Sequence, residues 1–453
     1  MTWPPIVFGI PVGSRALMYT ATAAHVRRDK LCSAAAMAPS QRLLLLIPTT
    51  TYRTEDFVEA ARSLDVDLVI ASDRPNMMAG EFPDHLLTLP FSDPAACARE
   101  VREYAARRPL DAVVPVDDAT TVVASAVGEA LALRVNPLAA AQATRDKRVM
   151  RELLARAGVP SPTFTVVRVD EDPAAAARRM AYPCVLKPRV LSASRGVIRA
   201  DDEAAFVAAF ARIRAILREP EVAALGEGTD SIVVEGFVPG AEVALEGLLE
   251  DGALRTLALF DKPDPLDGPF FEETIYVTPS RLPAATQAAV ADVAARAARA
   301  LGLSDGAVHC ELRLRPAARG ALEPVVLEIA ARSIGGLCGR TLRFGTGMSL
   351  EEVILRRALG RPVDSLERER AAAAVMMIPI PRGGILEEVR GLDEARAVPH
   401  VEDVTISLHK GQEVVPLPEG SRYLGFIFSR AATPAEAEAA LRAAHRHLQL
   451  VIR

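Results

Sequence analysis

The sequence predicts a mixed α/β and α+β chain in three parts. Three observations lead there. From Arg42 onward, buried strands alternate with helices; from about residue 160 to 345, strands and helices mix with hairpin signals; after residue 370, short strands precede a closing helix. At 453 residues the chain is long enough for two or three domains of roughly 100–200 residues each.

The elements follow in order. "RLLLLIPT" reads as a fully buried strand, followed by a helix around residues 54–64 and a second strand, "VDLVIAS". "SDPAACAREVREYAARR" reads as a helix capped by Ser92 or Asp93, and "LDAVVPV" as the next strand. Such alternation implies a parallel sheet covered on both faces, here over residues 42–140. The absence of a G-x-G-x-x-G turn argues against a dinucleotide-binding domain of the usual kind. "TRDKRVMRELLARAG" predicts one helix ending at Gly158 and opening a central part, residues 141–365, in which residues 346–360 are a further helix. The final part, 366–453, holds the strands "AVMMIPIP", "VEDVTISL" and "YLGFIFSR" and the helix "TPAEAEAALRAAHRHLQ". Residues 1–41 are expected to form a disordered extension, with Met37 a candidate start.

Composition narrows the function classes. Half the residues are apolar and a quarter charged, as in a soluble globular protein, and a net charge of −5 disfavours nucleic-acid binding. No apolar run approaches the ~20 residues of a membrane helix. The five cysteines show no paired spacing, so neither a zinc site nor a disulfide framework is expected, and a reducing cytoplasm is the expected compartment. Only five of the 53 basic residues are lysines, which suggests a coding bias that spares lysine where a slim ammonium is needed. Lys147 and Lys187 stand out on that ground.

Three stretches carry chemistry. In "YPCVLKPRVLSASRGVIRADD", Lys187 ends an apolar strand and Ser192, Ser194, Arg195 and Gly196 follow in a donor-rich loop suited to a polyphosphate, a plain surface turn being the alternative. "SIVVEGFVPGAEVALEGLL" reads as a hairpin around Pro239-Gly240. There Glu235 and Glu242 flank Phe237-Val238, whose backbone can meet an adenine edge, and Glu242 can take ribose hydroxyls; two exposed glutamates are the alternative. In "AVHCELRL…PVVLEIAARSIGG", Val308, Cys310, Leu312 and Leu314 alternate with His309, Glu311 and Arg313, and Val325, Leu327 and Ile329 alternate with Glu328, Ala330 and Arg332. Antiparallel pairing would bring Glu311 and Glu328 onto one face, where magnesium can offset their repulsion; a solvated acidic face is the alternative.

These motifs resemble the ATP-grasp superfamily over about residues 42–453, and "EIAARSIGG" and "FDKPDPLDGPFFEETIYVTPS" resemble its L-amino acid ligase branch. The resemblance implies a three-part architecture: a pre-ATP-grasp α/β domain, the ATP-grasp fold and a small C-terminal α+β domain. It assigns ATP binding to Lys147, Lys187, the Ser192–Gly196 loop, Glu235, Val238 and Glu242. It assigns magnesium, as one ion or two with manganese as a substitute, to Glu311 and Glu328, and the reacting carboxylate or acyl phosphate to Arg332. Ala330 departs from the pattern, because many members carry asparagine there as a further metal ligand. Lys262, Glu273, His309, Gly335 and Gly336 are expected on the substrate side.

The resemblance implies ATP-dependent ligation of a carboxylate and an amine, both amino acids, through an acyl phosphate, in a cytoplasmic enzyme expected to pair as a homodimer. The same fold also supports a carboxylase resembling biotin carboxylase or the purine-pathway enzymes. A nucleotide-binding regulator without catalysis is the third reading.

Overall fold

The computed structural model describes residues 40–76 and 80–453; Met37 and most of the expected extension lie outside the described residues. The first sheet is parallel, in the order β3-β2-β1-β4, and comprises β1 (Arg42–Leu46), β2 (Asp67–Ser72), β3 (Leu86–Thr88) and β4 (Ala112–Pro115). Alternate residues of β1 feed different cores. Leu43 and Leu45 pack with Phe57 and Ala61 of helix α1 (Thr54–Ser63). Leu44 and Leu46 pack with Cys97 and Val101 of α2 (Pro94–Ala105) and Val123 and Val127 of α3 (Asp118–Leu131). Both faces are therefore covered, which is why the strands read as continuous apolar runs. Asp93 caps α2 by accepting the Ala96 N–H.

The helix expected over "TRDKRVMRELLARAG" is two helices. α4 (Leu138–Arg145) stops at Asp146, whose extended backbone breaks the run, and α5 (Lys147–Arg156) begins there. The Asp146 carboxylate accepts the N–H groups of Arg148 and Val149, the ordinary device for satisfying a helix start. The break places Lys147 in the first turn of α5.

A second, antiparallel sheet in the order β5-β8-β6-β7 is made of β5 (Phe164–Arg168), β6 (Cys184–Pro188), β7 (Ile198–Ala200) and β8 (Ser231–Gly236). Phe206, Phe210 and Ile213 of the helix Glu203–Leu217 fill its inner face against Leu186 and Val234. The third sheet has eight strands: β9 (Ala241–Glu250), β10 (Ala253–Lys262), β11 (Ile275–Thr278), β12 (Gly306–Pro316), β13 (Leu322–Ala330), β14 (Ala372–Ile378), β16 (Val401–Ile406) and β18 (Gly425–Ala431). Their order is β13-β12-β9-β10-β11-β14-β18-β16, so this sheet runs across the expected 365/366 boundary through the β11–β14 pair. β15 (Gly384–Arg390), β17 (Glu413–Val414) and β19 (Gln449–Ile452) form a small sheet that the sequence pattern did not expose.

Two sequence expectations change here. The hairpin around Pro239-Gly240 does not form: β8 pairs with β5 and β6, whereas β9 pairs with β10 and β12. The four residues between them carry the chain from one sheet to the other. Gly240 makes that passage at φ +115, where an added Cβ would stand 2.1 Å from the Leu314 carbonyl oxygen. The strand β13 also does not alternate strictly. It pairs with β12 in the expected antiparallel sense, with Glu311 opposite Glu328, but a bulge follows and Leu312 faces Val326. The extra residue shifts the pattern, so Val326 and Ile329 enter the core while Leu327 and Glu328 both line the cleft described below.

Gly240→Ala tests the passage between the sheets. Both its backbone conformation and the space around it exclude a side chain, so the variant should lose about 2–3 kcal/mol of stability. Thermal and urea unfolding measure this, and a loss below about 0.5 kcal/mol would contradict the account.

Candidate active site

A cleft of about 440 Å³ lies between the second and third sheets and is also lined by the first part of the chain through Thr50, Tyr52, Asp117 and Asp118. Of the residues expected from the sequence, all but Arg195, Gly196 and Lys262 line it. The volume falls within the roughly 300–1,000 Å³ of small-molecule sites.

The two suspect lysines sit on one wall through a shared support. Lys147 donates its backbone N–H to the Arg189 carbonyl at 3.0 Å, and Arg189 in turn donates to Asp146, the cap of α5, at 2.8 Å. Lys147 Nζ donates to the Leu191 carbonyl at 2.6 Å and lies 3.6 Å from Glu328. Lys187, at the end of β6, reaches Glu235 Oε2 at 2.8 Å. Glu235 also accepts from Arg151 Nε at 2.8 Å; Arg151 is fully buried and holds the Leu327 carbonyl at the bulge as well. Burial alone would raise the Glu235 carboxyl, but Arg151 and Lys187 overcome it and bring it down to about 2. Both Glu235 oxygens are thus engaged within the protein.

On the opposite wall, β12 presents His309, Glu311 and Arg313 while Val308, Cys310, Leu312 and Leu314 are buried in the core, as the alternation predicts. Glu311 and Glu328 occupy directly opposed positions of β12 and β13. The carboxylates that converge most tightly, however, are Glu242, Glu273 and Glu311, whose oxygens lie within 4.8 Å of one another. Lys262 stands among them, 2.7 Å from Glu242, 2.7 Å from Glu273 and 3.4 Å from Glu311. Burial opposes its charge, yet the three acids hold the Lys262 ammonium well above the ordinary lysine range. Glu242, expected to face a ribose, gives its second oxygen to Arg313 Nε at 3.1 Å. Arg313 also donates to the Val238 carbonyl at 2.9 Å.

His309 is buried between two acids, 3.5 Å from Glu246 and 3.4 Å from Glu311. Glu246 accepts the Ile334 N–H at 2.9 Å and so ties β9 to the loop after β13. That loop carries Arg332, which donates to Asp118 at 2.7 Å and to the Ser333 carbonyl at 2.9 Å. Burial would raise Asp118, but Arg332 and Arg145 bring it down to about 2. The N–H of Gly336 donates to the Tyr52 hydroxyl at 2.7 Å. Arg53, next in sequence and also buried, holds Ser333 Oγ at 2.6 Å and the Val116 carbonyl at 2.9 Å.

Two loop residues depart from expectation. The Gly196 N–H donates to the Pro418 carbonyl at 2.8 Å, and Arg195 donates to the Glu419 carbonyl and pairs with Glu219. Both are spent on other protein groups, because the segment around Pro418 packs on the outer half of the loop. Ser192 and Ser194 remain on the cleft. Lys262 is off the lining because its three acids enclose it.

Several cleft residues had no sequence signal: Tyr52, Asp117 and Asp118 from the first part and Ser421, Arg422 and Tyr423 from the last. They come from loops whose approach only the packing of distant elements fixes.

The arrangement matches known families along its length. The family described as ATP-grasp N-terminal domain matches residues 58–133, ATP-grasp domain matches 180–341, and L-amino acid ligase C-terminal domain 2 matches 376–453. The chain belongs to the ATP-grasp superfamily, in its L-amino acid ligase-like branch. It is similar to the L-amino acid ligase from Bacillus licheniformis, with a TM-score of 0.78 and 27% identity over 92% of this chain and 100% of that one. It is 28% identical to alanine–anticapsin ligase of Bacillus subtilis (strain 168) over 239 residues, 50% of this chain and 49% of that protein. The chain spans about half the length of the curated relatives it matches. The biotin carboxylase domain of 2-oxoglutarate carboxylase from Hydrogenobacter thermophilus, in complex with MgADP and bicarbonate, shares the fold at a TM-score of 0.63 and 15% identity over 92% of this chain and 91% of that one. Among the described residues, no helix is long and apolar enough to cross a membrane.

The buried Glu235 centre sets an acid limit on this site. Its depressed carboxyl contributes stability that is complete above about pH 4.5, the ordinary value, and disappears as pH falls toward about 2. Glu235→Gln should therefore cost about 3 kcal/mol at pH 7 and flatten the loss of stability between pH 4.5 and 2. Unfolding curves across that range decide it; parallel wild-type and variant profiles would count against the assignment.

Proposed function

We propose that this chain is an ATP-dependent carboxylate–amine ligase that joins two amino acids through an acyl phosphate. The observation that carries the reading is the opposition of Glu311 and Glu328 across β12 and β13, on a cleft whose facing wall carries Lys147 and Lys187, with Arg332 at its end. The similarity to L-amino acid ligase and to alanine–anticapsin ligase supports it.

The donor set fits the required groups. Glu311 and Glu328 offer hard oxygen ligands on rigid strands, the kind magnesium prefers, and Glu328 accepts no hydrogen bond among the described residues. Magnesium bound there would offset charge on the nucleotide's β- and γ-phosphates. Lys147 and Lys187 supply cations on the other wall, and Ser192 and Ser194 supply hydroxyl donors. Glu235, Val238 and Glu242 line the nucleotide end. Lys262 pairs with Glu242, Glu273 and Glu311, and Arg313 holds the second oxygen of Glu242. Ala330 offers no ligand, so a metal held by Glu311 and Glu328 would need water or another oxygen in its place.

Arg332, preset by Asp118, receives the substrate carboxylate. One carboxylate oxygen attacks the γ-phosphorus, the bond to the β-phosphate oxygen breaks, and ADP and an acyl phosphate result. The amine nitrogen then attacks the acyl carbon, the C–O bond to phosphate breaks, and the nitrogen loses a proton to solvent as the amide forms. Positioning of this kind can supply roughly 7–11 kcal/mol of the barrier reduction. His309, Glu273, Gly335 and Gly336 stand beside the reacting centre as substrate-side residues.

Phosphate release over pairs of amino acids with ATP and magnesium, followed by mass spectrometry, tests the reading. Glu328→Ala should reduce ligation at least about 1,000-fold with the fold retained by circular dichroism, since it removes charge stabilisation at the transferring phosphoryl group. Near-normal ligation by that variant would overturn the assignment, and bicarbonate-dependent ADP formation without amino acids would favour a carboxylase.

A further inference from the structure

The last part of the chain reaches the cleft through Met377 of β14 and through residues 415–423, and the ligase mechanism above gives the second segment no task. It is fixed at both ends. On one side, Pro418 and Glu419 accept from Gly196 and Arg195 of the phosphate-side loop, each at 2.8 Å, and the Glu419 carboxylate takes Arg212 through two 2.8 Å contacts. On the other, Tyr423 donates its hydroxyl to Glu273 at 3.3 Å and sets its ring edge-on against Phe426, with centroids 5.8 Å apart. Between these anchors Ser421 and Arg422 line the cleft.

Arg422 differs from the other cleft cations. Lys147 and Lys187 face Glu328 and Glu235, Arg313 faces Glu242, and Arg332 faces Asp118. Arg422 is exposed and, among the described residues, forms neither a hydrogen bond nor an ion pair. Its guanidinium therefore remains available to an anion entering from solvent. An arginine fork suits planar carboxylate oxygens in particular.

We propose that Arg422 binds the α-carboxylate of the amino acid that supplies the amine, and so makes the enzyme prefer an amino acid to a simple amine as nucleophile. The inference rests on the ligase reading. An incoming amino acid brings its carboxylate only two bonds from the attacking nitrogen, into a cleft that already holds Glu273, Glu311 and Glu328. That charge is repelled unless a cation meets it, and Arg332 is committed to the other substrate. A simple amine carries no such charge and needs no such partner. The same guanidinium chemistry would also suit a nucleotide phosphate, and the test separates the two.

The experiment uses the full chain with ATP, magnesium and the amino-acid pair that gives the greatest phosphate release in the screen. The nucleophile is compared with its own carboxamide, which keeps the side chain and amine but lacks the charge. Wild type should favour the free acid by about 10–100-fold in kcat/KM, the range expected of a charge-assisted hydrogen bond. Arg422→Gln should erase that preference by raising KM for the amino acid while sparing the carboxamide and KM for ATP, and Arg422→Lys should restore part of it. A rise in KM for ATP would reassign the arginine to phosphate. An equal loss for acid and carboxamide, or no change, would also overturn the inference. If wild type forms no amide with any pair, the ligase reading falls and this inference with it; ligation with the preference intact in R422Q sinks the inference alone.

Discussion

One ammonium group makes the cleft possible. Lys262 lies within hydrogen-bond reach of Glu242 and Glu273 and close to Glu311, carboxylates that come from β9, the segment before β11, and β12. Three acids this close repel one another, and a cation among them offsets that repulsion. Lys262 between them and Arg313 on the far oxygen of Glu242 give these carboxylates fixed partners. Lys262 thereby links β9, the segment before β11 and β12 on one wall of the cleft.

The facing wall is built by the same rule with different residues. Glu235 is held by one arginine and one lysine, and Arg151 extends the hold to the backbone of the β13 bulge. Lys187 at the end of β6 and the bulged strand β13 are therefore joined through Glu235 and the buried Arg151 guanidinium. The first part of the chain adds a third support, since Asp118 and Arg53 fix Arg332 and Ser333. Polar groups of the first and central parts thus meet behind the cleft.

Much of this was legible in the chain. The alternation in "AVHCELRL" placed His309, Glu311 and Arg313 on one face, because a strand's period of two is strict when one side must enter a core. The scarcity of lysine marked Lys147 and Lys187 before any geometry was known. Other readings failed for identifiable reasons. Pro239-Gly240 looks like a hairpin turn, but a turn sequence does not state which sheet the next strand joins. Strict alternation in β13 gave way to a bulge, which the apolar run Val325-Val326-Leu327 cannot reveal. Ser192–Gly196 reads as a donor-rich loop, yet Arg195 and Gly196 give their donors to residues more than two hundred positions away.

The sequence by itself determined most of the strands and helices around the cleft and the facing pair Glu311 and Glu328, since these rest on local periodicity and residue type. Tertiary structure alone decided that Lys262 is enclosed by acids, that Asp118 presets Arg332, and that residues 415–423 reach the cleft. Those arrangements depend on long-range packing of loops, where no local period exists and where the partner of a charge is settled by which surfaces come together to keep it satisfied.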